Sequence, residues 1–137
     1  MAEYLLDTNH LSYIQRDHPQ VITHLAELAD DDRVFTSAVC AAELLCGVKL
    51  LPEGQRQRDL MESYHQVIRL MNEILPVTLA VGERFADIQA ELRRKGRPLP
   101  VNDVWVAATA LERDAVLVTN DAHFREIDHL KLDDWTR

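Results

Sequence analysis

Apolar positions along the chain switch between two spacings. Tyr4-Leu5-Leu6, Val34-Phe35-Thr36 and Ala115-Val116-Leu117-Val118 are short apolar runs that read as buried strands. Between them, apolar residues recur every three or four positions, the spacing of a helix face. Leu11 and Ile14 predict a brief helix over about residues 8–15. Pro19 opens another with Val21, Ile22, Leu25 and Leu28, and Asp30-Asp31-Asp32 ends it as a solvated turn. Ser37 is placed to cap a helix running to residue 50. Pro52 starts a long helix whose face carries Leu60, Met61, Tyr64, Val67, Ile68, Met71 and Ile74 or Leu75. Pro76-Val77 reads as a short strand. Thr78 caps a helix striped by Val81, Phe85, Ile88 and Leu92, which Gly96 and Pro98 stop. Residues 101–112 are apolar nearly all round after the first turn, which predicts a helix buried on most sides. A helical turn around Phe124 and a strand near Leu130-Lys131-Leu132 close the pattern. Strands alternating with helices predict an α/β sandwich around a small, mostly parallel sheet, in a single domain of residues 1–137. Such sheets hold their sites beyond the carboxyl ends of the strands.

Composition adds limits to this picture. Apolar residues make up 47% and charged residues 28%, a globular balance that needs no disulfide or structural metal at this length. Lys plus Arg is 15 against 23 for Asp plus Glu, a net charge of −8. That excludes a protein that holds nucleic acid by bulk positive charge. A local exception exists: Arg93, Arg94, Lys95 and Arg97 put four cations in five positions, suited either to substrate phosphate or to a helix C-terminus. Cys40 and Cys46 lie six residues apart on one expected helix, about 9 Å along its axis, too far to bridge. Two free thiols, no basic start and no apolar run of membrane-spanning length together predict a soluble cytoplasmic domain.

Four acids fall where a bland surface would not need them. Asp7 ends the first strand, Asp121 follows the strongest strand, Asp103 opens the apolar helix, and Glu43 is the only charge in the helix 38–48. Each has a structural alternative. Asp7 and Asp121 suit caps or turns, Asn102 and Asp103 suit a helix start, and Glu43 suits an ion pair. Taken together, the four lie on the side of the sheet where a crevice forms. Converging carboxylates repel unless a cation sits among them, and hard oxygen donors select Mg²⁺ or Mn²⁺. The six histidines show no zinc-ligand spacing; His10 and His123 are the two near the expected site. No phosphate-cradling glycine loop and no nucleophile elbow is present. Asp7-Thr8-Asn9 also lacks the second aspartate of a D-x-D phosphatase, and a receiver-type phosphoacceptor would need further acids beside Asp7.

Leu5-Leu6-Asp7-Thr8-Asn9 and Ala41-Ala42-Glu43-Leu44-Leu45-Cys46-Gly47-Val48 resemble the first two motifs of PIN-domain ribonucleases. The segment from Asn102-Asp103-Val104-Trp105 to Ala110-Leu111, and Leu117-Val118-Thr119-Asn120-Asp121 with Phe124, resemble the other two. The basic stretch from Glu91 to Pro98 is similar to one these proteins carry before the third acid. The nearest group is the VapC-like toxins of toxin–antitoxin pairs, and the likeness runs from about residue 4 to Asp134-Trp135. The resemblance implies a PIN-like three-layer α/β/α fold and Mg²⁺- or Mn²⁺-dependent cleavage of RNA leaving a 5′-phosphate. It implies a homodimer and a cognate antitoxin, whose tail would cover the site and whose arginine would suit the carboxylates. It makes Asp7, Glu43, Asp103 and Asp121 the catalytic and metal-holding quartet, with Thr119 supporting the site. Either one or two cations fit four carboxylates. A PIN-fold binding or regulatory protein without turnover is the competing reading.

Overall fold

The computed structural model describes all residues from Met1 to Arg137. Strand β1 (Glu3–Leu6) leads through Asp7 into α1 (Thr8–Gln15), and α2 (Pro19–Ala26) returns the chain to β2 (Arg33–Ser37). Helices α3 (Ala38–Lys49) and α4 (Gln55–Leu70) connect to β3 (Glu73–Leu75). Helices α5 (Leu79–Lys95) and α6 (Val101–Arg113) connect to β4 (Val116–Val118), and a 3₁₀ turn (Ala122–Glu126) precedes β5 (Leu132–Asp133).

The sheet order is β3-β2-β1-β4-β5, and every neighbouring pair is parallel. All five strands therefore end at one edge, and the order reverses between β1 and β4. Connections to β2 and β3 step outward, whereas the connection to β4 recrosses the sheet. Right-handed crossovers then put the two sets of helices on opposite faces. Packing agrees: α1, α3 and α4 form one group and α5 packs on α6, giving a three-layer α/β/α sandwich. Leu5 and Leu6 on β1 and Leu117 and Val118 on β4 are all fully buried. Burial of consecutive residues means both faces of the sheet are covered, which is why these strands are apolar runs rather than alternations.

Local chemistry sets the element boundaries. Ser37 Oγ accepts the Cys40 N–H and Thr78 Oγ1 accepts the Val81 N–H, so both expected caps form. Gly96 ends α5 in the left-handed region at φ 66°, where a side chain would strain the backbone. On α6, Val104 and residues 106–110 are buried, as its nearly continuous apolar surface predicts.

Several boundaries differ from the sequence expectation, among them the start of the long helix, which is Gln55 after Gly54 rather than Pro52. The long helix stops at Leu70, and the strand expected at Pro76-Val77 lies instead at Glu73–Leu75. Asn72 makes that transition: its N–H donates to Val34 O and its side chain accepts the Val34 N–H, so the chain is already pairing with β2. Pro76 follows with no N–H to offer the ladder. At α6 the N-cap is Pro100, not Asn102; the Pro100 carbonyl accepts from Asp103 and Val104, and no side chain caps the helix. The last strand is Leu132–Asp133, slightly later than expected, although the Lys131 carbonyl already accepts the Leu117 N–H. The sheet is also entirely rather than mostly parallel.

Candidate functional site

The order reversal between β1 and β4 opens a crevice beyond the strand ends, where an open parallel sheet places its site. Asp7 leaves β1 there, and its N–H donates to Val118 O on β4. Its carboxylate caps α1 by accepting the His10 N–H at 2.8 Å. The same oxygen, Oδ1, lies 3.0 Å from His10 Nδ1, and Oδ2 accepts the Thr119 hydroxyl at 2.6 Å. Thr119 follows β4 and is buried, and its Oγ1 accepts the Asp121 N–H at 3.1 Å. One hydroxyl thus ties the first acid to the backbone of the fourth.

The other two acids arrive from helices. Glu43 sits on α3 and accepts the Thr8 hydroxyl at 3.1 Å; no Lys or Arg pairs with it, so the ion-pair alternative is absent. Asp103 opens α6. Asp7, Glu43, Asp103 and Asp121 line one cavity of about 150 Å³, together with Thr8, Asn9, Cys40, Val106 and Phe124. Asp103 and Asp121 converge with His123, their ligand atoms all within 4.8 Å of one another. Burial pushes the Asp103 carboxyl up to about 6, reinforced by the negative charges of Asp121, Glu43 and Asp7 and opposed by His123. Burial also holds the Cys40 thiol up at about 11, so it is a neutral wall of the cavity and not a nucleophile. Cys46 on the same helix is exposed, and both thiols are free.

Several residues have two functions at once. Asp7 and Asp121 do cap α1 and the 3₁₀ turn, the latter by accepting the His123 N–H at 2.9 Å. Capping uses part of a carboxylate's acceptor capacity and leaves part for a ligand. His123 Nδ1 is 3.3 Å from Asp121 Oδ1 and the side chain is mostly exposed. The basic stretch lies elsewhere. Arg93, Arg94, Lys95 and Arg97 end α5, and none lines the acidic cavity. Arg94 pairs with Glu91, Lys95 with Glu91 and Asp128, and Arg97 with Glu126 at 3.1 Å. Arg93 alone makes no ion pair.

A wider cleft of about 470 Å³ adjoins the acids at Asp121 and brings in Arg125, Asp133, Asp134 and Arg137. The pattern of the sequence pointed to none of these four. The available signal was Asp133-Asp134 directly after the last strand, an acid pair at the same sheet edge as Asp7. Trp135 anchors this end of the chain: it is buried, meets Tyr4 edge-on and donates from Nε1 to Asp133 Oδ2.

Comparison with known proteins agrees with the geometry. The PIN domain family model matches residues 4–130. Toxin FitB of Neisseria gonorrhoeae is 34% identical over 121 residues, covering 85% of this chain and 86% of FitB. Ribonuclease VapC1 of Haemophilus influenzae strain R2866 is 29% identical over 136 residues, 98% of each chain. Among solved structures, VapBC-1 from nontypeable Haemophilus influenzae superposes with a TM-score of 0.86 at 28% identity, over 98% of this chain and 99% of that one. With its parallel sheet, its acid crevice at the order reversal and a family match over nearly its whole length, this chain belongs to the PIN domain family.

Proposed function

We propose that the protein is a divalent-metal-dependent endoribonuclease and the toxin of a toxin–antitoxin pair. One observation carries the reading: four carboxylates line a single small cavity with no lysine or arginine paired to any of them. Among basic side chains, only the rings of His10 and His123 come within 4 Å of these acids. Such a cluster is self-repelling, as the raised Asp103 carboxyl registers, and a cation relieves it. The donor set fits Mg²⁺ or Mn²⁺, hard ions that take carboxylate oxygens. Asp7, Glu43, Asp103 and Asp121 would hold the ion. When bound, it lowers the pKa of water and offsets charge on phosphoryl oxygens.

The chain's own groups do the rest. Thr119 and His10 orient Asp7, and Thr8 orients Glu43. Val106 and Phe124 limit water in the cavity. Arg125 and Arg137 line the adjoining cleft, Arg137 with Asp134 3.4 Å away, and Arg93 in the last turn of α5 makes no ion pair. These cations supply phosphate contacts that a net charge of −8 would otherwise deny. The similarity to a named ribonuclease and a named toxin supports RNA as substrate and a cognate antitoxin as partner. No helix is long and apolar enough to cross a membrane.

The test is cleavage of RNA by the purified chain, free of any antitoxin, with Mg²⁺, with Mn²⁺ and with EDTA. Metal-dependent products carrying 5′-phosphates support the proposal. Metal binding without cleavage of any RNA supplied would leave a PIN-fold binding protein in its place.

A further inference from the structure

His10 stands one helical turn past Asp7, and its imidazole is wholly enclosed. Nδ1 lies 3.0 Å from Asp7 Oδ1, which also accepts the His10 backbone N–H. Thr119 donates to Oδ2. A carboxylate has about four acceptor positions, so three donors from the fold leave one for a ligand. The other ring nitrogen, Nε2, is buried with no hydrogen-bond partner, and Asp134 Oδ1 is 3.9 Å away, outside bonding range. A hydrogen bond from the ring to a carboxylate oxygen uses Nδ1 as the donor, and it is the only bond the ring makes, since Nε2 has no partner.

Burying a half-satisfied polar ring is unfavourable, and buried polar atoms are seldom left unpaired. Tyr13 packs edge-on against the ring at 5.3 Å, contact that a phenyl ring would make equally well. What imidazole supplies here, and a hydrocarbon ring could not, is the bond to Asp7. We infer that His10 is a positioning residue, whose Nδ1–H locks the Asp7 carboxylate so that its remaining acceptor position faces a divalent cation. This rests on the proposed reading of Asp7 as a cation ligand. Outer partners that orient metal ligands are worth about 10- to 100-fold in metal affinity.

Mn²⁺ affinity of the full-length chain, read from the electron paramagnetic resonance signal of free Mn²⁺ at neutral pH, tests it beside thermal unfolding. The variants are Asp7→Asn, His10→Phe, His10→Asn and His10→Gln. An asparagine amide sits where Nδ1 sits and can still donate to Asp7, whereas a glutamine amide reaches the Nε2 position. His10→Phe and His10→Gln are expected to weaken Mn²⁺ binding by about tenfold or more, and His10→Asn to stay near wild type. Melting of His10→Phe at or above wild type would show that the loss is not unfolding. If His10→Phe and His10→Gln bind Mn²⁺ like wild type while Asp7→Asn does not, the inference is wrong and Asp7 keeps its role. Undiminished binding by Asp7→Asn would overturn both. Should His10→Phe fail to fold, equal affinities of the Asn and Gln variants overturn the inference.

Discussion

On the β1–β4 side of the crevice Asp7 is 7% exposed and takes three donors, whereas on the α6 side the Asp103 carboxylate is perturbed only by burial and charges. The first carboxylate is finished by the fold; the second is left in tension. Hydrogen bonds of 2.6 to 3.0 Å to both of its oxygens fix the Asp7 rotamer. Asp103 has neighbours of its own sign, offset by His123 and by its place in the first turn of α6. Under the proposed function, a site so divided would present one ligand preorganised and hold another that a cation would satisfy. Fold stability and function therefore separate at Asp103 and coincide at Asp7.

Substitutions at the two acids should break this contrast most clearly. Asp7→Asn is expected to lower cleavage by about 100-fold or more, roughly 2.7 kcal/mol of transition-state stabilisation. Its melting temperature should fall as well: Asn keeps the helix cap, but its amide nitrogen replaces an oxygen that accepts a buried donor from Thr119 or His10. Asp103→Asn should abolish cleavage comparably and yet stabilise the metal-free protein at neutral pH. The sign follows from the raised carboxyl. Its folded value of about 6 lies above its ordinary 3.8, so the native state binds more protons between those values. The group therefore costs the metal-free fold stability above about pH 6, and that cost is relieved on acidification. Melting curves of wild type and Asp103→Asn should converge by about pH 4, and the affinity of wild type for Mn²⁺ should weaken as pH drops below about 6, where protons compete for Asp103.

Smaller effects sharpen the comparison. Thr119→Val removes the donor to Asp7 Oδ2 and the acceptor for the Asp121 N–H, at a cost of about 1–3 kcal/mol in unfolding free energy. Thr119→Ser should restore most of it, because the hydroxyl matters more than the methyl; denaturant titration would read both. Smallest are the arginines of α5. Arg93→Glu should weaken RNA binding several-fold at low salt and lower the salt slope by about one, leaving the fold intact. Arg97→Glu should do less, since Glu126 already neutralises Arg97. Affinity unchanged across a salt series would remove the cluster from the substrate path.

The same division explains what could be read from the sequence. Asp7, Asp103 and Asp121 were visible because strand ends and helix starts are local signals, and Glu43 because a lone charge in an apolar helix is conspicuous. Their convergence came from the strand order, which places β4 beside β1. The overrun of the long helix toward Leu75 was built into the pattern, since Met71, Ile74 and Leu75 keep helical spacing while Asn72 is already paired to β2. Asn102 looked like a cap because its chemistry suits one, but the Pro100 carbonyl took the first helical bonds. The three bonds on Asp7 were not legible beyond its cap. His10 and Thr119 are 109 residues apart in sequence, and only the folded β1–β4 pairing brings them to the same carboxylate.

Anomalous scattering from crystals of the protein soaked in Mn²⁺ would test the central claim most directly. A peak is expected in the acid cavity within about 2.1 Å of oxygens of Asp7 and Asp103, with Glu43 and Asp121 bound directly or through water. The peak should vanish in Asp7→Asn. A cavity without density at saturating Mn²⁺, or a peak seated only on acids outside it, would contradict the claim that this crevice is a metal-dependent nuclease centre.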